Sequence, residues 1–480
     1  MKKNLDINLQ LLPYEELSKF EDFINSPYFN KLPRLIKLFQ FIKENYDLIH
    51  KNKLNREDLS AFMYPGEPFK DTSIRKLISD FNKHIDKFAI QKELEDDKID
   101  YNLKLLKQLR KNRVEDKFDR LYKEIDLLNE EDRSEVDQYY ENRTRLLCER
   151  FELLFHKSIK EKKEIFQKKS DMLDLEFVLK KIYLYESMTS VEGVNKNVSY
   201  HFTFFNEIDK YINSNKDFIM ENEPELYRNY LQLRIQLTLD KNLLDELEHI
   251  VYSKYAQKNI LRPLIDLSNI YTYVGLRTPG LRSVYSRKNF EIYKYIEKNK
   301  LLSKFYINHI NFVRAIQSGL SAKEFEWTKT FIDNYKNKIK PEFRDDVKNY
   351  SYGKLYYELK NYEKSLFYLT LVNFKDYYIY TNAKKMLLRT EYELGNNENV
   401  ISQIESIQKF YNSHTEITDA YKIDTLNYIL ILNELAKLQL NSRNKSDKLF
   451  KKNKLLKNLE KNKNNIVYYN WLLEKITKLK

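Results

Sequence analysis

One helical pattern recurs three times between Phe312 and Ile407 at nearly constant spacing. The clearest copy runs from Tyr352 to Val372, and the next copy repeats its apolar positions 35 residues later, ending at Ile407. The preceding copy lies 37 residues earlier and supplies Phe325, Thr328, Ile332 and Tyr335. A period in this range is typical of stacked helical hairpins, each of which packs on its neighbours. The repeat therefore predicts an array of helices.

The composition agrees with an all-α fold. Only 7 glycines and 9 prolines occur in 480 residues, so the turn residues of an all-β protein are scarce. Apolar residues recur at helical rather than alternating spacing. Aromatic residues make up 14% of the chain, and inter-helix packing accounts for them because each ring buries a large area.

The cellular compartment is predicted from what the sequence lacks. The single cysteine, Cys148, excludes a disulfide framework within one chain, which fits a reducing compartment. Residues 1–17 carry no apolar core of a secretion signal. The longest apolar run, Tyr428–Leu432, has five residues and is far too short to span a membrane. We expect a cytoplasmic protein without a membrane partner.

Four segments follow from the distribution of turn residues and charge. Residues 1–95 hold five of the nine prolines and are predicted to form a short helical module. Residues 96–300 are predicted to be degenerate helical hairpins, with breaks near Asn112, from Asn129 to Asp132, and at Ser170-Asp171. Residues 301–415 contain the best-formed repeats, and residues 416–480 form basic capping helices.

The basic charge is concentrated at the end of the chain. From Leu440 onward there are 12 Lys or Arg residues against 3 Asp or Glu, out of a net charge of +13 for the whole protein. Such a segment is either a solvated capping surface or a contact for nucleic acid or an acidic partner. The sequence leaves both interpretations open.

Two helices of the N-terminal module have clear signals. Asn55 is a favourable N-cap, and Asp58 stands at the capping-box position three residues later. A longer helix is predicted from Thr72 to Phe88, because its apolar residues follow steps of three, four and seven. Its predicted outer face carries Arg75, Lys76, Ser79, Asn82 and Lys83.

The copy beginning at Tyr352 resembles a tetratricopeptide repeat. Gly353 stands where a small residue is expected on the first helix, and Ser365 stands where the two helices cross. Thr328 and Val400 occupy the crossing position in the neighbouring copies. A small residue there lets the helix axes approach closely. The resemblance implies a tetratricopeptide-like α-solenoid, a right-handed superhelix of helical hairpins that follows an N-terminal helical module.

Most of the chain also resembles a group of uncharacterised bacterial proteins with a short N-terminal helical module and a tetratricopeptide-like array. Five segments carry this resemblance: Phe23 to Lys31, Tyr64 to Phe69, Leu355 to Tyr362, Asn373 to Asp376, and Trp471 to Ile476. Residues 93–300 match only in helical pattern. The resemblance implies an architecture and assigns no activity.

The sequence offers no catalytic or metal-binding motif. The seven histidines are isolated, and no pair has the i, i+4 spacing of a helical zinc site. No phosphate-binding loop or G-x-S-x-G motif occurs. Cys148 lies beside an apolar stripe with no identifiable base, and the acidic run from Glu93 to Asp97 lacks the pattern of a calcium loop. We predict a protein that is not an enzyme and has no cofactor or metal. An active site assembled from distant residues remains the third-ranked alternative.

The leading functional hypothesis is non-catalytic binding of a protein or peptide on the concave face of the array. Four first-helix residues are expected to be exposed there: Asn349, Lys354, Lys384 and Arg389. Their polar and positive character favours an acidic or polar peptide. Arg277 and Arg282 flank a Gly/Pro turn and could receive carboxylates or phosphates, although an ordinary helix-to-helix connection is the simpler interpretation of the turn.

The alternative hypothesis is a DNA-binding transcriptional regulator with a sensor or assembly array. The segment Leu54 to Leu59, the turn at Tyr64-Pro65-Gly66 and the helix from Thr72 to Phe88 are similar to a winged-helix pattern. The resemblance would place Arg75, Lys76, Ser79 and Lys83 in the major groove. No β-hairpin wing is predicted after this helix, and Asp80 and Asp86 put negative charge beside it, where phosphates would be repelled. Nucleic acid is therefore the less favoured partner.

Overall fold

The computed structural model describes residues 4–131, 136–154, 159–194, 198–254, 260–302, 307–373, 377–413, 419–441, 445–463 and 465–479. Across these ranges it contains 24 α-helices, four short 3-10 helices and no β-strand. The predicted all-α fold class is confirmed. The chain forms two compact units, residues 1–176 and residues 177–480, and the division falls within one long helix.

The first unit and the dividing helix contain nine α-helices. They are α1 (Leu17–Asn25), α2 (Pro33–Glu44), α3 (Tyr46–His50), α4 (Arg56–Met63), α5 (Asp71–Asp96), α6 (Lys98–Lys111), α7 (Glu115–Glu131), α8 (Val136–Leu154) and α9 (Ile159–Val194). One hydrophobic core takes its buried residues from Leu5 to Phe88. At its centre the Phe20 ring lies 5.4, 5.6 and 5.2 Å from the rings of Phe39, Phe81 and Phe88.

The capping box predicted for α4 is confirmed. The Asn55 side-chain oxygen accepts the backbone N–H of Glu57 at 2.8 Å, and the Asp58 carboxylate accepts the backbone N–H of Asn55 at 2.8 Å. Helix α5 begins at Asp71, one residue before the predicted start at Thr72, and continues beyond Phe88 to Asp96. Because α6 starts at Lys98, helix rather than a β-hairpin follows α5.

The predicted helix breaks have mixed outcomes. The break near Asn112 is confirmed, since α6 ends at Lys111 and Arg113 has a positive φ of 58°. Part of the break from Asn129 to Asp132 lies outside the described residues, and α7 ends at Glu131. The break at Ser170-Asp171 is wrong. Helix α9 is continuous there, because its buried apolar stripe persists on both sides and Gln167 donates a hydrogen bond to Asp171 one turn on, at 2.6 Å.

The second unit is a succession of helices, each of which packs against the next. They are α10 (Phe205–Ser214), α11 (Lys216–Asn222), α12 (Pro224–Thr238), α13 (Lys241–Lys254), α14 (Leu261–Arg277), α15 (Arg282–Lys298), α16 (His309–Ser321), α17 (Phe325–Tyr335), α18 (Pro341–Glu358), α19 (Tyr362–Thr370), α20 (Tyr377–Glu393), α21 (Asn397–Ser413), α22 (Asp419–Asn441), α23 (Lys445–Lys461) and α24 (Tyr469–Thr477). From α12 to α21 the ten helices form five successive pairs, which we call hairpins, and the two members of each pair pack on each other.

The helices that open these hairpins also contact one another. Helix α12 packs on α14, α16 packs on α18, and α18 packs on α20. Arg314 of α16 donates a hydrogen bond to Asn269 of α14, which links the remaining pair. We call α12, α14, α16, α18 and α20 the first-helix row. Within it the fully buried Arg228 of α12 pairs with Glu225 at 2.6 Å and with Asp266 of α14 at 2.5 Å.

Small residues allow two of the hairpins to close tightly. At the α18–α19 crossing, the buried Ser365 hydroxyl donates to the carbonyl oxygen of Gly353 at 2.8 Å. A Cβ atom at Gly353 would lie 2.6 Å from the Leu369 side chain. At the α16–α17 crossing, Thr328 is fully buried beside Gly319. The small-residue crossings predicted at Ser365 and Thr328 are therefore confirmed.

Candidate partner-binding site

The first-helix row brings together two of the residues predicted to contact a partner. Lys354 lies on α18 and Arg389 lies on the neighbouring α20. The Lys354 ammonium group donates a hydrogen bond to Gln317 of α16 and lies 5.4 Å from the centre of the Tyr350 ring. Burial lowers the pKa of Lys354 to about 8, and the nearby charge of Arg389 acts in the same direction, against Glu358. The two cations are thus half-buried on neighbouring helices, and the charge of Arg389 influences the pKa of Lys354.

The Arg389 guanidinium group is surrounded by aromatic rings. It lies 4.5 Å from the centre of the Tyr357 ring, 4.2 Å from Tyr468 and 5.2 Å from Trp471. Tyr357 belongs to α18, while Tyr468 and Trp471 belong to the start of α24 and its N-cap. Such rings attract a cation through their negative faces. We call Arg389 and these three rings the arginine cage.

The donors of Arg389 are not used within the described part of the chain. Its Nε atom is buried and has no hydrogen-bond partner there, and no described acid lies within ion-pair distance of the guanidinium group. The acid one helical turn away, Glu393, is engaged elsewhere. Its carboxylate accepts the Trp471 indole N–H at 2.7 Å and the Lys475 ammonium at 2.7 Å. The cage therefore holds a cation whose hydrogen-bonding capacity remains open.

A third cation of this region was missed in the sequence. Lys385 lies four residues before Arg389 on α20, hence on the same helix face, and is 5% exposed. Burial lowers the pKa of Lys385 to about 8, although the charge of Asp424 opposes this shift. The i, i+4 spacing with Arg389 is the sequence signal that could have identified it. The packing of Tyr468 and Trp471 on Arg389 has no comparable local signal.

Two of the four predicted contact residues do not join this group. All four residues were expected to be exposed, and this expectation is wrong, because Lys354, Lys384 and Arg389 are half-buried. Asn349 is buried, and its amide donates to the Leu371 carbonyl oxygen at 3.4 Å. Lys384 is half-buried between α20 and α21. It lies 5.4 Å from the centre of the Tyr380 ring, in a small pocket that Ser406 and Phe410 also line. One residue of sequence separation thus places Lys384 and Lys385 on different sides of α20.

Arg277 and Arg282 lie at the ends of two helices rather than in a long loop. Helix α14 continues through Gly275 to Arg277, a 3-10 helix spans Pro279–Leu281, and α15 begins at Arg282. Both arginines are exposed. The guanidinium group of Arg277 stacks on Tyr273 of its own helix, at 3.6 Å from the ring centre. This arrangement leaves their contact with a partner as a prediction.

The outer face of α5 exposes all four residues of the DNA-binding hypothesis, Arg75, Lys76, Ser79 and Lys83. Two of the cations are paired with acids on the same helix: Arg75 lies 2.8 Å from Asp71, and Lys83 lies 3.3 Å from Asp80. The open cleft beside Arg75, Ser79 and Lys83 is also lined by Asp6, Arg56 and Asp86. The charge of this surface is consequently mixed.

Neither a metal cluster nor a membrane-spanning helix occurs among the described residues. No three His, Cys, Asp or Glu side chains there are grouped as metal ligands. No helix in the same ranges is long and apolar enough to cross a membrane. In comparisons with known proteins, no family model, curated protein or solved structure matches the chain significantly.

Proposed function

We propose that the protein is a non-catalytic scaffold that binds a protein or peptide partner in the cytoplasm. In this proposal the hairpins of the second unit form a right-handed, tetratricopeptide-like solenoid, and the first-helix row lines its concave face. The recurring spacing of the repeats supports this arrangement, as do the tight crossings at Ser365 and Thr328. In such arrays each hairpin contacts only its neighbours, and the stacked first helices present an extended binding surface.

The arginine cage is the observation that carries the proposal. Arg389 and Lys354 are half-buried cations on adjacent first helices, and Arg389 retains unused donors. Keeping like charges together away from water costs stability unless an anion compensates them. An acidic or polar peptide would supply that compensation.

Comparative capture from native lysate tests the proposal. The full chain, the double variant Lys354→Met/Arg389→Met and the control Lys384→Met are immobilised, and the retained proteins are identified by mass spectrometry. We expect a partner that the wild-type chain and the control retain and that the double variant loses. Circular dichroism and thermal unfolding show whether each variant is folded. Equal retention by folded forms of all three proteins would contradict the proposal.

A DNA-binding regulator is the second candidate. The observation in its favour is that Arg75, Lys76, Ser79 and Lys83 are all exposed along α5. Phosphate neutralisation by such side chains would give an affinity that falls steeply with salt. The ion pairs of Arg75 and Lys83 with neighbouring acids reduce the charge available to phosphates, so we rank this function below peptide binding.

A further inference from the structure

The arginine cage has the features of an incomplete anion site. A guanidinium group is planar, so stacking on rings satisfies its faces and leaves the N–H groups at its edge to be paired. Buried charged groups in proteins are normally both paired and hydrogen-bonded. Arg389 departs from this rule within the described residues, because three rings surround it while its buried Nε has no acceptor.

Neighbouring acids do not remove this charge excess. Glu393 accepts two hydrogen bonds from α24, one from Trp471 and one from Lys475, and the positive charge of Lys475 balances the charge of Glu393. Glu358, exposed at the end of α18, favours the charged forms of both Lys354 and Arg389, but it forms no ion pair with either cation. Arg389 and Lys354 therefore lie in one half-buried region without a carboxylate bound to Arg389. This is the arrangement that a ligand carrying its own anion would complete.

We infer that the arginine cage binds one oxyanion of the partner, a carboxylate or a phosphate. Arg389 binds this anion through its unpaired N–H groups, and Lys354 contributes the second positive charge. The inference rests on the proposed function and specifies its recognition chemistry. Because Tyr468 and Trp471 supply two of the three rings, the C-terminal helix α24 is part of the binding site as well as a cover for the hydrophobic core.

The chemistry of the two cations suits this role. Arginine binds carboxylates and phosphates with two parallel hydrogen bonds, and such charge-assisted bonds are about twice as strong as neutral ones. Burial lowers the pKa of Lys354 to about 8, and an adjacent anion would raise this pKa again. Binding near pH 8.5 should therefore be accompanied by proton uptake.

Calorimetric titration of the full chain tests the inference with three probes. They are hexaglutamate, a serine hexapeptide with one phosphoserine, and inorganic phosphate; unmodified hexaserine is the blank. Arg389→Met removes the fork at nearly constant length, Arg389→Lys keeps the charge without the fork, and Lys354→Met removes the second cation. Lys384→Met is the matched control, because Lys384 is a half-buried lysine of the same helix that lies against Tyr380.

We expect Arg389→Met to weaken binding of the preferred probe by about 10- to 100-fold, the loss of one charge-assisted interaction. Arg389→Lys should restore binding partly, and Lys384→Met should leave it unchanged. Titration in two buffers of different ionisation enthalpy should show proton uptake that Lys354→Met abolishes. A preference for hexaglutamate assigns a carboxylate, a preference for the phosphopeptide assigns a peptide phosphate, and equal binding of inorganic phosphate assigns a free phosphate.

The inference is overturned if the wild-type chain binds none of the probes, or if folded Arg389→Met and Lys354→Met variants bind them as tightly as the wild type does. The lysate capture experiment tests the proposed function separately. A lysate partner that the Arg389→Met variant retains would leave the scaffold function standing and remove the cage as its anion site. A wild-type chain that captures no partner but binds hexaglutamate through Arg389 would support the anion site and contradict the scaffold function.

Discussion

Replacement of Gly353 by alanine tests whether α18 and α19 cross as closely as the structure indicates. In an exposed helix interior this change stabilises a protein by about 1 kcal/mol, because alanine has the higher helix propensity. At Gly353 the added Cβ atom would lie 2.6 Å from Cγ of Leu369, and Leu369 is buried in the hairpin. The two effects have opposite signs, so the sign of the result is informative.

The steric effect should dominate. Extra carbon atoms in a well-packed core typically cost about 1–3 kcal/mol, since side chains and backbone must shift. Leu369 cannot rotate into solvent, and the Ser365 hydroxyl holds the same crossing through its hydrogen bond to the Gly353 carbonyl. After the gain in helix propensity, we expect Gly353→Ala to lower the free energy of unfolding by about 1–2 kcal/mol.

Gly275→Ala is the matched control in the interior of α14. A Cβ atom there would lie 3.4 Å from Cβ of Tyr285, which is an ordinary contact. This variant should be neutral or more stable by up to about 1 kcal/mol. Urea unfolding followed by far-ultraviolet circular dichroism measures both variants against the wild type. Stabilisation by Gly353→Ala as large as that by Gly275→Ala would refute the close crossing.

Three further predictions concern charged groups. Burial lowers the pKa of Lys354 from 10.5 to about 8, so the unfolded chain binds this proton more readily than the folded chain does. The charged Lys354 therefore destabilises the fold fully below pH 8, and this destabilisation fades as the pH rises. Lys354→Met should raise the melting temperature more at pH 7 than at pH 9, and an equal increase at both pH values would contradict the lowered pKa. Arg228→Met leaves Glu225 and Asp266 without their shared cation and should cost about 3 kcal/mol in urea unfolding, so a neutral result would argue against the buried pair. The full chain should not retard random duplex DNA at low salt; a salt-sensitive complex that Arg75→Gln/Lys83→Gln weakens would instead support the regulator.

The sequence was sufficient for features that depend on nearby residues. The capping box at Asn55 needs only three residues of context, and it is present. The repeat spacing identified Ser365 and Thr328 as crossing positions, because a close helix approach constrains side-chain size at one place in each unit. The continuity of α9 was missed, since polar residues at Ser170-Asp171 suggested a break although the apolar stripe continues beneath them.

The candidate site depends on contacts that sequence distance conceals. Arg389 was identified as a polar first-helix residue, but two rings of its cage come from Tyr468 and Trp471 in the C-terminal segment. Asn349 was placed on the exposed face but is buried by the folded hairpin, in which its amide donates to the Leu371 carbonyl oxygen. Adjacent lysines at 384 and 385 have different environments because a helix rotates by about 100° per residue. Periodicity predicts such faces only when the neighbouring helices are known.

The arginine cage also gives the C-terminal hairpin a second role. Leu472 and Ile476 of α24 are fully buried in the core that closes the second unit. On the same helix, Trp471 and Lys475 bind Glu393, and Trp471 covers Arg389. The proposed anion site is thus complete only when α24 packs against α20. Loss of α24 packing would be expected to disturb binding and stability together.

Site-specific photo-crosslinking tests most directly whether the first-helix row is the binding surface. A benzoyl-phenylalanine side chain is introduced at the exposed first-helix positions Gln317 and Glu358, and separately at the exposed second-helix positions Lys329 and Glu363. After irradiation with the captured partner, we expect covalent adducts from Gln317 and Glu358 and none from Lys329 and Glu363. Adducts confined to the second-helix positions would contradict this expectation.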